Sequence, residues 1–184
     1  MKIILASASP RRKEILEKQG YIIDIVPSLY DEKINGLKYS DNLVENCAFQ
    51  KALEVKNRVG NKELIVAADT VVVDNEIILG KPRNKDEAIS MLSSLSDKTH
   101  FVATAICLIC NETIIKKVEK TFVTFRKLSY EDIEKYIEKS RPFDKAGSYG
   151  IQDYGFDFAI NIKGELDNVI GFPVKLFNEC LENI

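Results

Sequence analysis

Short, continuous apolar runs alternate along this chain with segments whose apolar positions recur every three or four residues, the pattern of buried strands exchanging with one-sided helices. Residues 2–6 predict a buried strand. Ser9-Pro10 supplies an N-cap residue followed by proline at the first helical position, so a helix is expected over 10–19, ended by Gly20. Residues 21–26 read as a second strand. Residues 27–39 read as a polar loop carrying Asp31, Glu32 and Lys33, long enough to be functional. Val44, Ala48, Ala52 and Val55 mark one apolar face of a helix over 41–57, with Lys51 beside that face.

The buried run 64–68 predicts a strand that terminates at Asp69-Thr70, after which 71–73 and 77–79 flank Asp74-Asn75-Glu76 as a hairpin. Asn84 caps a helix running to about residue 95. Two long strand-like runs, 99–109 and 114–127, meet at Cys110-Asn111-Glu112-Thr113 and predict an antiparallel pair. Ser129 opens a helix through a Ser-x-x-Asp variant of the capping box, and 141–155 is a loop rich in glycine and tyrosine. Residues 156–162 give a last strand, and Pro173 opens a C-terminal helix. Strands alternating with helices, with hairpins adding antiparallel members, predict an α/β class with a mixed sheet. At 184 residues and 45% hydrophobic content, one domain over 1–184 is expected, without repeat, linker or low-complexity tract.

Charge narrows the class of partner. With 26 basic against 28 acidic residues the formal net charge is -2, so the whole-molecule field favours neither nucleic acid nor an anionic membrane, and anion binding must be local. The longest largely apolar run, 101–110, is about half of what a spanning helix needs. The apolar stretch 3–6 before Arg11-Arg12 is too short for a signal peptide core, which makes a cytoplasmic location the expectation. Cys107 and Cys110 have the two-residue spacing of a metal or redox motif, but residues three apart on a strand project to opposite faces and no second pair or histidine completes a site. The four cysteines are therefore read as buried thiols, and the lone His100 as structural.

The sharpest local pattern is Ser7-Ala8-Ser9-Pro10-Arg11-Arg12, a strand leading into a helix start with two guanidinium groups in its first turn. Outward-pointing N–H groups, a positive helix end and a bidentate fork suit phosphate; a plain cap with two solvated arginines is the alternative. Asp69, expected at the carboxyl end of a central strand, can hold a cation or merely start a turn. Magnesium takes one or two carboxylates plus water and substrate phosphates, and Glu32 is a second contributor. Lys81 in Leu79-Gly80-Lys81-Pro82 and Lys51 on its helix could complete a basic pocket, although neither belongs to a Walker loop.

Taken together, Ser7-Ala8-Ser9-Pro10-Arg11-Arg12, Lys51-Ala52, Ala68-Asp69-Thr70, Gly80-Lys81-Pro82 and Lys145-Ala146-Gly147-Ser148-Tyr149-Gly150-Ile151-Gln152 resemble, in order and spacing, the Maf family of nucleotide pyrophosphatases. Gly171-Phe172-Pro173 resembles its closing motif, so the likeness spans nearly the whole chain. The resemblance implies an elongated α/β fold with two lobes and a central cleft, and hydrolysis of a nucleoside triphosphate to monophosphate and pyrophosphate. It implies Asp69 as catalytic acid/base, with Ser7, Arg12, Glu32, Lys51 and Lys81 lining a phosphate and metal pocket, and magnesium or manganese held by Asp69 and Glu32. Arg11, Thr70 and Gln152 match the positions that mark the branch acting on dTTP and UTP. A glutamine amide can accept from the pyrimidine N3–H and donate to a neighbouring carbonyl, a pattern uracil and thymine share. Asp153 departs from the glycine common after that glutamine, and Ser148 is a milder change. A homodimer is an expectation from the family alone. The competing readings are a non-enzymatic regulator of septum formation and a pyrophosphatase for non-standard or methylated purine nucleotides.

Overall fold

The computed structural model describes residues 2–60, 62–153 and 155–184. Its strands are β1 (Lys2–Leu5), β2 (Ile22–Ile25), β3 (Leu64–Asp74), β4 (Ile77–Leu79), β5 (Thr99–Cys110), β6 (Thr113–Phe125) and β7 (Ala159–Lys163). The helices are α1 (Pro10–Lys18), α2 (Asp41–Val59), α3 (Lys85–Leu95), α4 (Tyr130–Ser140), α5 (Leu166–Ile170) and α6 (Val174–Leu181), with a 3-10 turn at Ala146–Ser148. The strands join one mixed sheet in the order β2-β1-β3-β5-β6-β7, with β4 added to β3. β1 runs parallel to β2 and β3, while β3, β5, β6 and β7 pair antiparallel. Among the described residues no helix is long and apolar enough to cross a membrane.

β3 organises the molecule. Because side chains alternate along a strand, Ile65, Ala67, Val71 and Val73 pack with Val44, Ala48, Ala52 and Val55 of α2 on one face. Val66 and Ala68 point the other way, into a core closed by Leu16 of α1 and Phe177 of α6. Val72 shares that second face but belongs to a separate core with Leu92 of α3 and Ile133 and Ile137 of α4. One face of the sheet therefore carries a single core and the other carries two, split between Ala68 and Val72. The residue left at the split is Thr70, whose register partner on β5 is Thr104.

The edge of β3 that faces β1 and β4 is covered only in part. β1 pairs with β3 as far as Val66, and β4 pairs with it from Val72 onward. Among the described residues, 67–71 have no strand on that edge, which leaves a notch in the sheet.

Several local expectations need correction. Asp69-Thr70 does not terminate a strand: β3 runs on to Asp74, held by β5 over an unbroken register from Ile65↔Ile109 to Val73↔Phe101. Asp69 is thus mid-strand, not at a carboxyl end. Ser9 occupies the N-cap position ahead of Pro10, but its side chain makes no cap bond; the nearby Ser7 Oγ instead accepts from Ser9 N at 3.2 Å. The last strand begins at Ala159, because Phe156 and Phe158 are drawn into an aromatic cluster with Phe125, Tyr136 and Tyr149. α2 extends to Val59, and the short α5 falls in a stretch with no expected element. By contrast, the capping box at Ser129 forms with both bonds, and the cysteines are unbridged, Cys110 half-buried and the other three buried.

His100 is structural, as expected. It is buried edge-on against Phe125, with Nε2 at 2.8 Å from the Tyr149 hydroxyl and Nδ1 without a partner. Burial pulls its pKa down to about 4. Below the unfolded-chain value of about 6.5 the unfolded state takes up a proton that the folded state refuses, so stability is lost as pH falls from there to about 4. This one group should account for about 3 kcal/mol over that window, and a His100→Gln protein should show a shallower decline when urea unfolding is compared at pH 7 and pH 4.5.

Candidate active site

A cleft of about 390 Å³ opens at the notch. β1 ends beside Val66, so Ser7, Arg11 and Arg12 on the following turn and α1 form one lip. β4 ends beside Val72, so Gly80-Lys81 forms the other. Both lips converge on Asp69 and Thr70, whose side chains leave opposite faces of β3 and reach the cleft from two sides.

On the α2 face, Asp69 is almost fully buried and accepts from Lys51 Nζ through Oδ1 at 2.6 Å. The same ammonium pairs with Glu32 from the polar loop and lies 3.4 Å from the Ala68 carbonyl. Lys51 itself is buried, so the Lys51–Asp69 pair is held largely away from water, while Glu32 closes the triad from the solvent side. Asp69 Oδ2 is buried and, among the described residues, has no hydrogen-bond partner. Burial pushes the Asp69 carboxyl above the ordinary aspartate range, with Glu32 adding to the rise and Lys51 opposing it. Desolvation also pushes Glu32 up, but the charge and hydrogen bond of Lys51, with the field of Lys81, bring it below its usual value.

On the opposite face the Arg12 guanidinium is fixed by three acceptors. Nε donates to the Gly171 carbonyl at 2.9 Å, Nη1 to Ser7 Oγ at 2.9 Å and Nη2 to Thr70 Oγ1 at 3.0 Å. A guanidinium has five N–H groups, so one remains on each terminal nitrogen, a two-pronged donor suited to phosphate oxygens. Burial lowers the Arg12 pKa while Asp69 and Glu32 raise it, and the group stays charged.

The far wall is the loop predicted as rich in glycine and tyrosine. Its 3-10 turn is pinned to the Gly80 lip by Gly147 N donating to the Gly80 carbonyl at 3.0 Å. Only glycine serves at 147: φ is +64°, and an added Cβ would lie 2.7 Å from the Val72 side chain. Tyr149 stacks on Phe156 with an interplanar angle of 11°, and Ile151 and Gln152 continue the wall.

All nine sequence-predicted residues line this one cleft: Ser7, Arg11, Arg12, Glu32, Lys51, Asp69, Thr70, Lys81 and Gln152. Lys81 and Gln152 are exposed. Arg11 is bridged across the cleft to Asp144 at 3.1 Å, and Asp144 also pairs with Lys145 at 3.0 Å. Asp144 and Gly171 were absent from the predicted set: a turn aspartate resembles any surface acid, and Gly171 acts through its backbone carbonyl, which no side-chain pattern reports. Asp153, the departure from the motif, does not line the cleft. Its carboxylate accepts from the Tyr136 hydroxyl at 2.6 Å and lies 3.7 Å from Lys145 Nζ, so the loop absorbs the extra charge.

The family model described as Maf-like protein matches residues 2–184. A dTTP/UTP pyrophosphatase from Clostridium perfringens is 44% identical over all of this chain and 97% of its own length. A dTTP/UTP pyrophosphatase from Bacillus cereus is 44% identical over 94% of this chain and 90% of its own. Among solved structures, a nucleoside-triphosphatase, dITP/XTP pyrophosphatase, from Mycobacterium abscessus superposes with a TM-score of 0.50 at 16% identity, covering 99% of this chain and 92% of that one. That likeness is one of fold.

Removing the ammonium from the ion triad should expose its electrostatics. In Lys51→Met the Asp69 and Glu32 carboxylates face each other unscreened, and the folded-state pKa of Asp69 rises further above its unfolded value. A raised carboxyl pKa makes stability fall as pH climbs through the window between the unfolded and folded values. The variant should therefore lose about 3 kcal/mol at pH 7.5 and clearly less at pH 4.5, as read from urea unfolding in metal-free buffer.

Proposed function

The chain belongs to the Maf-like protein family, and on that premise we propose that it hydrolyses dTTP and UTP to the nucleoside monophosphate and pyrophosphate. The observation that carries this reading is the convergence of a buried carboxylate and an exposed one, a fixed arginine fork and an exposed lysine on one cleft whose far wall ends in Gln152.

The geometry supports a division of labour. The triphosphate tail lies along the lips, where the free N–H groups of Arg12 and the ammonium of Lys81 meet its oxygens. The base reaches the loop wall, where the Gln152 amide accepts from N3–H and donates to the adjoining carbonyl, a pattern cytosine does not offer. Asp69 takes a proton from a water whose oxygen attacks the α-phosphorus, while the α–β bridging P–O bond breaks and pyrophosphate leaves. Arg12 and Lys81 balance the charge that accumulates on the leaving group. Lys51 keeps the buried Asp69 ionised enough to act as the base.

A divalent cation, magnesium or manganese, fits the donors present. Asp69 Oδ2 is buried without a protein partner and Glu32 sits across the same ammonium, so the chain offers two carboxylates. Among the described residues no group of three or more His, Cys, Asp or Glu is placed to hold a metal, and two carboxylates with water and substrate phosphates are what magnesium takes. When bound, such an ion neutralises phosphate charge and lowers the pKa of an attached water.

A nucleotide panel tests the reading. With magnesium or manganese present, UTP and dTTP should release pyrophosphate at least tenfold faster than CTP, ITP or a methylated GTP. Asp69→Asn should lower kcat by about a thousandfold, within the range general-base catalysis supplies. Equal turnover of all five nucleotides would remove the pyrimidine assignment, and an active Asp69→Asn would remove the base. Since Asp69 must be ionised to take a proton, kcat/KM should fall on acidification. Chelation with EDTA should abolish turnover, and added magnesium should restore it.

A further inference from the structure

A line of polar groups crosses the interior behind Arg12. Thr70 Oγ1 and Thr104 Oγ1 are 3.0 Å apart across the β3–β5 register, and Thr104 Oγ1 donates to the Asn168 carbonyl at 3.0 Å. Thr104 and Asn168 are fully buried. The Asn168 side-chain amide in turn donates to the Val102 carbonyl and to Thr121 Oγ1, each at 3.1 Å, and Thr121 Oγ1 donates to the Glu165 carbonyl at 2.9 Å. Three strands and α5 are thereby tied to one chain of bonds.

Hydrogen counting sets the direction of that chain. A hydroxyl has one hydrogen. Thr104 commits its own to the Asn168 carbonyl, so in the contact between the two threonines Thr70 is the donor. The reverse direction would give up the 3.0 Å bond to Asn168 and leave Thr70 a 3.5 Å contact with the Gly171 carbonyl. Arg12 only donates, so Thr70 Oγ1 accepts from Nη2. The hydrogen of Thr70 therefore points into the protein and none is presented to a nucleotide. Asn168 also tethers the other side of Arg12. It lies in α5, and the N–H of Gly171 at the end of that helix donates to the Asn168 carbonyl at 3.1 Å, while the Gly171 carbonyl accepts from Arg12 Nε.

We propose that Thr104 and Asn168 are positioning residues that lock the Arg12 fork, and that Thr70 acts on the phosphate end through Arg12 and does not read the base. This rests on the functional reading above, in that the triphosphate is taken to bind in this cleft. A side chain with several rotatable bonds loses orientation when its fixed acceptors are removed, and the loss falls on every substrate alike because all share the phosphate tail.

The test uses inorganic pyrophosphate as the probe, titrated calorimetrically, beside steady-state kinetics with UTP, dTTP and CTP. Thr104→Val should weaken pyrophosphate binding by up to about tenfold, the scale of a lost neutral hydrogen bond, and raise KM for all three nucleotides by a common factor. Thr104→Ser, which keeps the hydroxyl, should restore both. In an Arg12→Ala background, Thr104→Val should have no further effect on pyrophosphate binding, because its route has been removed. Additive losses in that double variant, or unchanged pyrophosphate binding in Thr104→Val, would overturn the proposal. If Thr104→Val does not fold, Thr70→Val against Thr70→Ser decides: weaker pyrophosphate binding with an unchanged UTP-to-CTP preference supports it, and a changed preference with unchanged pyrophosphate binding refutes it. A wild-type protein that neither binds pyrophosphate nor turns over any nucleotide would instead sink the functional reading, and this proposal with it.

Discussion

The structure depends on a gap in hydrogen bonding along one edge of its central strand. β3 is paired continuously with β5 on one side, yet on the other side β1 stops at Val66 and β4 starts only at Val72. A strand edge left open inside a sheet exposes backbone groups that need partners, and a cleft that admits water or a polar ligand meets that need. The continuous pairing with β5 keeps the backbone straight through the gap. A rigid strand thus crosses the floor of a site whose lips are the mobile-prone ends of two shorter strands.

Burying the Asp69–Lys51 pair is the expensive part of this arrangement. Removing charges from water costs several kcal/mol per ion, and a buried pair seldom returns more than it loses. Alanine and valine packing around α2 and β3 supplies compensating apolar burial, with Val44, Ala48, Ala52 and Val55 all fully enclosed. The retained cost is consistent with use: a carboxyl whose pKa is displaced by desolvation and held by a specific charge partner, sitting in a cleft, is what proton-transfer chemistry requires.

Most of the elements were legible because apolar periodicity dominated them. The helix over α2 followed from Val44, Ala48, Ala52 and Val55, and the antiparallel arm followed from two long β-rich runs about a short turn. The reading failed at Asp69-Thr70, where two polar residues inside an apolar run look like a strand end. What overrides that local cue is a partner strand distant in sequence, Ala105 for Asp69 and Thr104 for Thr70, since β5 supplies a full ladder of bonds through both positions. For the site, each of the nine predicted residues lines the cleft. What stayed invisible was the support behind it: Thr104 and Asn168 are ordinary polar residues in the sequence, and only the fold brings them to Arg12.

Placing Asp69 and Thr70 next to each other has a geometric consequence. Consecutive residues of a strand project to opposite faces, so the carboxylate with Lys51 belongs to the α2 side and the threonine with Arg12 belongs to the α1 and α6 side. The two groups can address a single ligand only where no neighbouring strand separates them, that is, in the notch. A ligand there would meet a carboxylate from one face and a fixed cationic fork from the other. The loop pinned by Gly147 to Gly80 closes the third side, joining recognition of the far end of the ligand to the lip that carries Lys81. Had β1 or β4 been longer by a few residues, the sheet would have been better paired and the two half-sites would have stood on opposite sides of a wall.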